Sequence, residues 1–133
     1  MKIVVNGSFD ILHIGHLRLL QYARSWPNSY VLVLIDSDRR IRELKGKNRP
    51  INTAYERANF LAELKSVDRV EIFDTDNDLI NYIKDFEPDI MIKGSDWQGG
   101  KIIGSEYVKE IIFYDRFKDY STTNKIKSIA NRQ

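Results

Sequence analysis

Five short, almost wholly apolar runs punctuate this sequence, at residues 3–5, 30–35, 70–73, 90–92 and 111–114. A strand with one face in water alternates apolar and polar residues. A strand that is apolar throughout must be covered on both faces. Helical patterns separate the runs. Leu17, Leu20 and Arg24 share one face of a first helix, with Leu19, Tyr22 and Ala23 beside it. A second begins near Thr53, where Thr53 and Glu56 have the spacing of a capping box, and is expected to bury Tyr55, Ala58, Leu61, Ala62 and Leu64. A third carries Leu79, Ile80, Ile83 and Phe86, starts among residues 76–78 and is ended by Pro88. A short helix follows Ser105, and a last one follows Ser121 with Ile126 and Ile129 inward. Strands covered on both faces, alternating with helices, specify a parallel sheet between two helical layers. The predicted fold is α/β, a Rossmann-like, doubly wound sheet of five parallel strands, in a single domain over residues 1–133.

Two connections break the alternation: a basic stretch at 36–52 after the second strand and a glycine-rich one at 93–105 after the fourth. Both are expected to leave the carboxyl ends of their strands, the rim where open α/β sheets bind ligands. Loops of this length in a compact domain usually carry function, and the basic one is read as mobile without ligand. The net charge of +2 argues against a nucleic-acid partner, whose basic stripe would dominate the total. No cysteine is present, which removes disulfides, thiolate zinc sites and a cysteine nucleophile. The longest aliphatic run, residues 31–35, is too short to cross a bilayer. Met1-Lys2 leads directly into a strand, so no signal peptide and no membrane partner are expected, and the reading is a cytoplasmic protein.

The chemistry concentrates where the first strand ends, in Asn6-Gly7-Ser8-Phe9-Asp10-Ile11-Leu12-His13-Ile14-Gly15-His16. A buried strand, a glycine-bearing turn and a helix start follow one another there, and amides at a helix start point at a bound anion. Both histidines of the chain lie in this stretch, three residues apart. On a helix start they share a face and can aim two donors at one phosphate. Gly7, Ser8 and Gly15 are small enough to let a ligand approach the backbone. Asp10 is either a turn residue with local hydrogen bonds or a carboxylate that orients a histidine or a metal. Phe9 reads as a core wedge rather than a base-stacking ring. Near the far end, Arg116-Phe117-Lys118-Asp119-Tyr120-Ser121-Thr122-Thr123 forms a loop into the last helix, where Ser121 can cap as well as bind.

These two segments resemble the hallmarks of the cytidylyltransferase-like nucleotidyltransferase superfamily, a His-x-Gly-His turn and an Arg-x-x-x-x-Ser-Thr-Thr motif. Class I aminoacyl-tRNA synthetases share the first, but they are much longer and pair it with Lys-Met-Ser-Lys-Ser, which is absent here. The resemblance covers nearly the whole chain and is greatest to two branches, the cytidylyltransferase acting on glycerol 3-phosphate and the adenylyltransferase acting on heptose 1-phosphate. It implies transfer of a nucleoside monophosphate from an NTP to a sugar or polyol phosphate, with release of pyrophosphate. Both reactants are anions, so the task is electrostatic and positional, and no protein nucleophile is needed.

In that reading His13, His16, Lys45 and Arg116 are catalytic, with Lys47 as a second lysine of the basic loop. Asn6, Gly7, Ser8, Phe9, Asp10, Gly15, Lys93, Gly94, Asp96, Ser121, Thr122 and Thr123 form the nucleotide side. Asp38, Arg57 and Trp97 form the acceptor side. Arg57 has an alternative as a surface ion pair with Glu56 or Glu63, and Trp97 as a lid or a packing residue. Lys118 and Asp119 stand where the glycerol branch often has glutamate and glycine. No metal cage is visible from spacing, so Mg²⁺ is expected to come with the NTP, held by triphosphate oxygens and water. The family also implies a homodimer. Arg49-Pro50-Ile51-Asn52 and Ile103-Gly104-Ser105 are similar to the heptose branch, whereas Trp97 after Gly-Ser-Asp is similar to the glycerol branch. Two matches against one favour ATP with heptose 1-phosphate over CTP with glycerol 3-phosphate. A rival of another class is a non-catalytic nucleotide-binding module.

Overall fold

Residues 1–95, 99–115 and 122–132 are described by the computed structural model, apart from the side chains of Thr122 and Asn124. The five apolar runs become β1 (Lys2–Gly7), β2 (Tyr30–Asp36), β3 (Arg69–Phe73), β4 (Ile90–Gly94) and β5 (Glu110–Tyr114). They form one sheet in the order β3-β2-β1-β4-β5, and every neighbouring pair is parallel. The winding runs outward from β1 through β2 to β3, then returns to the other side of β1 for β4 and β5. A crevice opens at such a reversal, at the carboxyl ends of β1 and β4.

The helices are α1 (Ile14–Arg24), α2 (Asp38–Lys45), α3 (Ala54–Ala62), α4 (Asp76–Phe86) and α5 (Thr122–Asn131), with one 3₁₀ turn at Ser105–Tyr107. Side chains alternate across a strand, so each central strand feeds two cores. Ile3, Val5, Val31, Val33 and Ile35 meet Leu20 and Ala23 of α1 and Leu61 of α3 on one face. Val4, Leu32, Leu34 and Met91 meet Phe73 and the Leu79–Ile83 stripe of α4 on the other. The sheet is covered on both sides, as the unbroken apolar runs require. Among the described residues no helix is long and apolar enough to cross a membrane.

Three expectations are corrected. The basic connection is not a loop through its length, because Asp38–Lys45 is helical. Ser37 caps it by accepting from the Arg40 amide at 3.1 Å, and Ile41, 1% exposed, is its single buried anchor. A run of arginine, glutamate, leucine and lysine has good helix propensity even when its apolar stripe is one residue wide. In α3, Thr53 does cap the helix, but Tyr55 is 77% exposed and Ala62 lies on the surface. The inward face turns instead on Arg57 and Leu61, and assigning the arginine to solvent rotates the helix wrongly. In α5, Ile126 is half-buried while Ile129 is exposed.

Candidate active site

The end of β1 and the start of α1 build the centre of the rim. His13 is the N-cap of α1, and its Nδ1 accepts the Gly15 amide at 3.0 Å. His16 reaches back, and its Nδ1 accepts the His13 amide at 3.1 Å. The pair is a capping box made of two imidazoles. An Nδ1 that accepts carries no proton, so the hydrogen of each ring sits on Nε2. The ring centroids are 3.9 Å apart, with the planes inclined by 31°. Burial first, then the charges of His13 and Lys45, push His16 down from 6.5 to about 3, so it stays neutral at ordinary pH. The expected help from helix amides changes form here. Gly15 donates to a histidine ring, His16 and Leu17 donate to the His13 carbonyl, and the rings present the donors in their place.

Phe9 lies beneath this turn. It is 4% exposed and its ring stands 5.1 Å from His16, so the side chain is the expected core wedge. A Cβ on Gly7 would come within 3.2 Å of the Phe9 ring, which explains the glycine more directly than access for a ligand does.

Opposite the histidines, Lys45 closes α2 and donates from Nζ to Ser8 Oγ at 3.3 Å. Burial and the neighbouring Arg49 charge hold Lys45 below its usual value. Lys93, in β4 and nearly buried, donates to Asn6 Oδ1 at 3.4 Å, with Gly94 beside it at the strand end. The β1 and β4 ends therefore meet at Asn6 and Lys93, beside the crevice.

Asp10 plays neither role open to it in the sequence. It is fully buried and accepts from Arg49 Nε at 3.0 Å and from the amides of Ile51 and Asn52, residues about forty positions on. Burial alone would raise its carboxyl, but the Asn52 and Ile51 amides and Arg49 hold it below the usual range. Its bonds go to the 49–52 segment, which it pins, and not to a histidine. Among the described residues no three His, Asp or Glu side chains gather to hold a cation.

Arg57 is a second correction. It is 1% exposed, and four of its bonds go to the carbonyls of Asn52, Ser8 and Asp36 and to the Asp38 carboxylate. It is not the surface pair with Glu56 or Glu63, since its ion pair is with Asp38. It ties the β1 turn to the start of α2, and Asp38 is the only one of its partners on the acceptor list. Thr123 is exposed at the start of α5. Asp96, Trp97, Arg116 and Ser121, with the side chain of Thr122, lie outside the described residues.

The family model for cytidylyltransferase-like proteins matches residues 4–133. The chain belongs to the cytidylyltransferase-like family. Among curated relatives, the bifunctional protein HldE of Campylobacter fetus subsp. fetus is 48% identical over 127 residues, 96% of this chain and 27% of that protein. HldE of Helicobacter hepaticus is 46% identical over 129 residues, 96% of this chain and 26% of the relative. The chain thus spans about a quarter of the length of the curated relatives it matches. The crystal structure of a lipopolysaccharide core biosynthesis protein from Thermoplasma volcanium superposes with a TM-score of 0.68 at 27% identity, covering 91% of this chain and 98% of that one. Within this cytidylyltransferase-like chain, the residue that sequence reasoning passed over is Arg49, noted only for a branch resemblance. A lone arginine in a run of basic residues gave no sign that it pairs with a buried aspartate.

Proposed function

We propose that this chain is a nucleotidyltransferase that moves adenylate from ATP to heptose 1-phosphate. An oxygen of the acceptor phosphate attacks the α-phosphorus of ATP. The bond from that phosphorus to the bridging oxygen breaks, and pyrophosphate leaves with its electron pair. The attacking oxygen is already anionic, so no general base is required, and the protein supplies position and donors. The arrangement that carries the reading is the two-imidazole cap, with His16 neutral and Lys45 bonded to Ser8 nearby. Neutral donors suit charge that develops on nonbridging oxygens, because they hold the transition state without gripping the product anion as tightly as a cation would. Mg²⁺ belongs to the proposal as part of the ATP substrate, bound by triphosphate oxygens and water, and it neutralises the departing pyrophosphate.

Arg116, Ser121, Thr122 and Thr123 close over the β- and γ-phosphates in this reading, and Asp96 with Lys93 and Gly94 faces the nucleoside. The kinship with HldE proteins and the two heptose-like segments support the heptose acceptor. Trp97 after Gly-Ser-Asp supports the second reading, CTP with glycerol 3-phosphate. The test is pyrophosphate release across the four NTPs and a panel of sugar and polyol phosphates, heptose 1-phosphate and glycerol 3-phosphate included. Turnover greatest with ATP and heptose 1-phosphate is expected. Preference for the glycerol pair overturns the substrate, and nucleotide binding without turnover on any acceptor makes the chain a binding module. A homodimer in a cytoplasmic setting completes the proposal, and sedimentation equilibrium tests its stoichiometry.

A further inference from the structure

The rim around Ser8 is rich in donors and poor in acceptors. An arginine facing a carboxylate normally pairs through two parallel bonds, one from Nε and one from Nη2. Arg49 does not. Its Nε bonds Asp10 Oδ2 at 3.0 Å, the Ile51 amide is shared between Oδ2 at 2.9 Å and Oδ1 at 3.0 Å, and Oδ1 also accepts from the Asn52 amide at 2.8 Å. The second oxygen is taken, and the fork stays half-made. Arg49 Nη2 is left shut off from water, with no hydrogen-bond partner among the described residues. A charged donor left this way carries a desolvation penalty that only an acceptor relieves.

The neighbouring groups offer no relief. Lys45 Nζ is itself a cation, and the Arg49 charge is the largest charge effect acting against it. Ser8 Oγ already receives Lys45, and His16 Nδ1 already receives the His13 amide. Asp10 and Asp36 are the carboxylates whose charge reaches Lys45, and neither bonds Arg49 Nη2. A phosphate group is the complementary object, with several acceptor oxygens, no donor when ionised, and a charge that offsets two cations at once.

We infer that Arg49 donates from Nη2, beside Lys45 Nζ, to a substrate phosphate, so that Arg49 is a phosphate-binding residue of the site and Asp10 is the group that aims it. The inference takes the substrate class from the nucleotidyltransferase reading above. The phosphate belongs either to ATP or to the sugar phosphate, and binding to each decides which. The turn that carries Arg49 starts at Gly46, with φ +101°, whose carbonyl accepts the Arg49 amide at 3.2 Å.

Arg49→Lys keeps the charge and one donor for Asp10 but removes the second arm of the fork. The dissociation constants of MgATP and of heptose 1-phosphate are measured by calorimetry for the native chain and this variant, at a temperature where both are folded. The expected result is a loss of at least about tenfold for one ligand, as for one charge-assisted hydrogen bond, with the other within twofold. Affinities within twofold for both ligands overturn the inference, whatever the melting temperature does. In the native chain, the nitrogen-15 signals of the Arg49 guanidinium are expected to shift and sharpen when the same ligand is added. Unchanged signals at saturation overturn it without any substitution. The two proposals fail separately. A chain that binds both ligands, one of them through Arg49, but releases no pyrophosphate sinks the transferase reading alone, and a chain that turns over normally as Arg49→Lys sinks this one alone.

Discussion

At the residue scale, His13 and His16 cap the helix, and the proposed function gives each a second job as a donor to the ligand. Removing one preorganised donor from developing charge costs ~2.7–4 kcal/mol, so His13→Ala and His16→Ala are expected to lower kcat by about two to three orders of magnitude. His13→Ala also bares the start of α1 and is expected to lower stability by about 1 kcal/mol. His13→Asn keeps a capping oxygen, so it is expected to lose turnover while melting like the native chain, and steady-state rates beside urea titrations check the split. Protonation gives a further prediction. The unfolded chain protonates His16 below 6.5, whereas the folded chain refuses the proton until about 3. The stability that neutral His16 brings is therefore complete above 6.5 and declines as the pH falls from there toward 3. Asp10, held below 3.8, adds loss in the same direction at the acid end of that window. Urea midpoints between pH 7 and 4 are expected to fall, and to fall less steeply in His16→Asn. Equal slopes in the two proteins would show that His16 is not the group responsible.

At the scale of elements, the decisive ties run from the β1 turn to the segment between α2 and α3. Asp10→Ala strands Arg49 and frees the Ile51 and Asn52 amides, and it is expected to cost about 3–5 kcal/mol in a denaturant titration. A contrasting site is Gly104, with φ +84° and Ile83 Cδ1 only 2.6 Å from where a Cβ would stand. Gly104→Ala is expected to cost about 1–3 kcal/mol while leaving kcat near its native value, since the contact is with α4 and not the rim. The strands and four of the five helices were legible in the sequence because periodicity and caps are local signals, as at Thr53 and in the apolar runs. Helix α2 was not, because a single apolar residue, Ile41, carries its packing. Asp10 and Arg57 were misread for a related reason. Their partners lie up to 42 and 49 residues away, and nothing in the local chain marks which carbonyls or amides they will meet.

On the scale of the whole molecule, β1 and β2 are shared by both cores, so neither layer opens without losing the other. Their amides are expected to exchange with deuterium only through global unfolding, and those of the largely exposed α5 well before. Faster exchange in β2 than in α5 would contradict this picture of the core. The strand order places the crevice between β1 and β4, and the proposed binding groups come from both sides of the reversal: the histidines from the start of α1, Lys45 from α2, and Lys93 from β4. That convergence was predictable from the alternation of strands and helices alone. Which donors face outward was not, since it depends on which nitrogen of each imidazole the backbone claims.

The imidazole cap also bears on how such a chain can change over evolutionary time. Catalytic groups are usually free to drift once a protein no longer needs its reaction, because the fold does not depend on them. Here the first turn of α1 relies on the same two rings. A lineage that abandoned the chemistry would first uncover a helix start, and selection for solubility alone would tend to refill position 13 with serine, asparagine or aspartate. A relative with one of those residues there would be intact as a fold and silent as a transferase, and one with alanine would have to draw its stability from elsewhere.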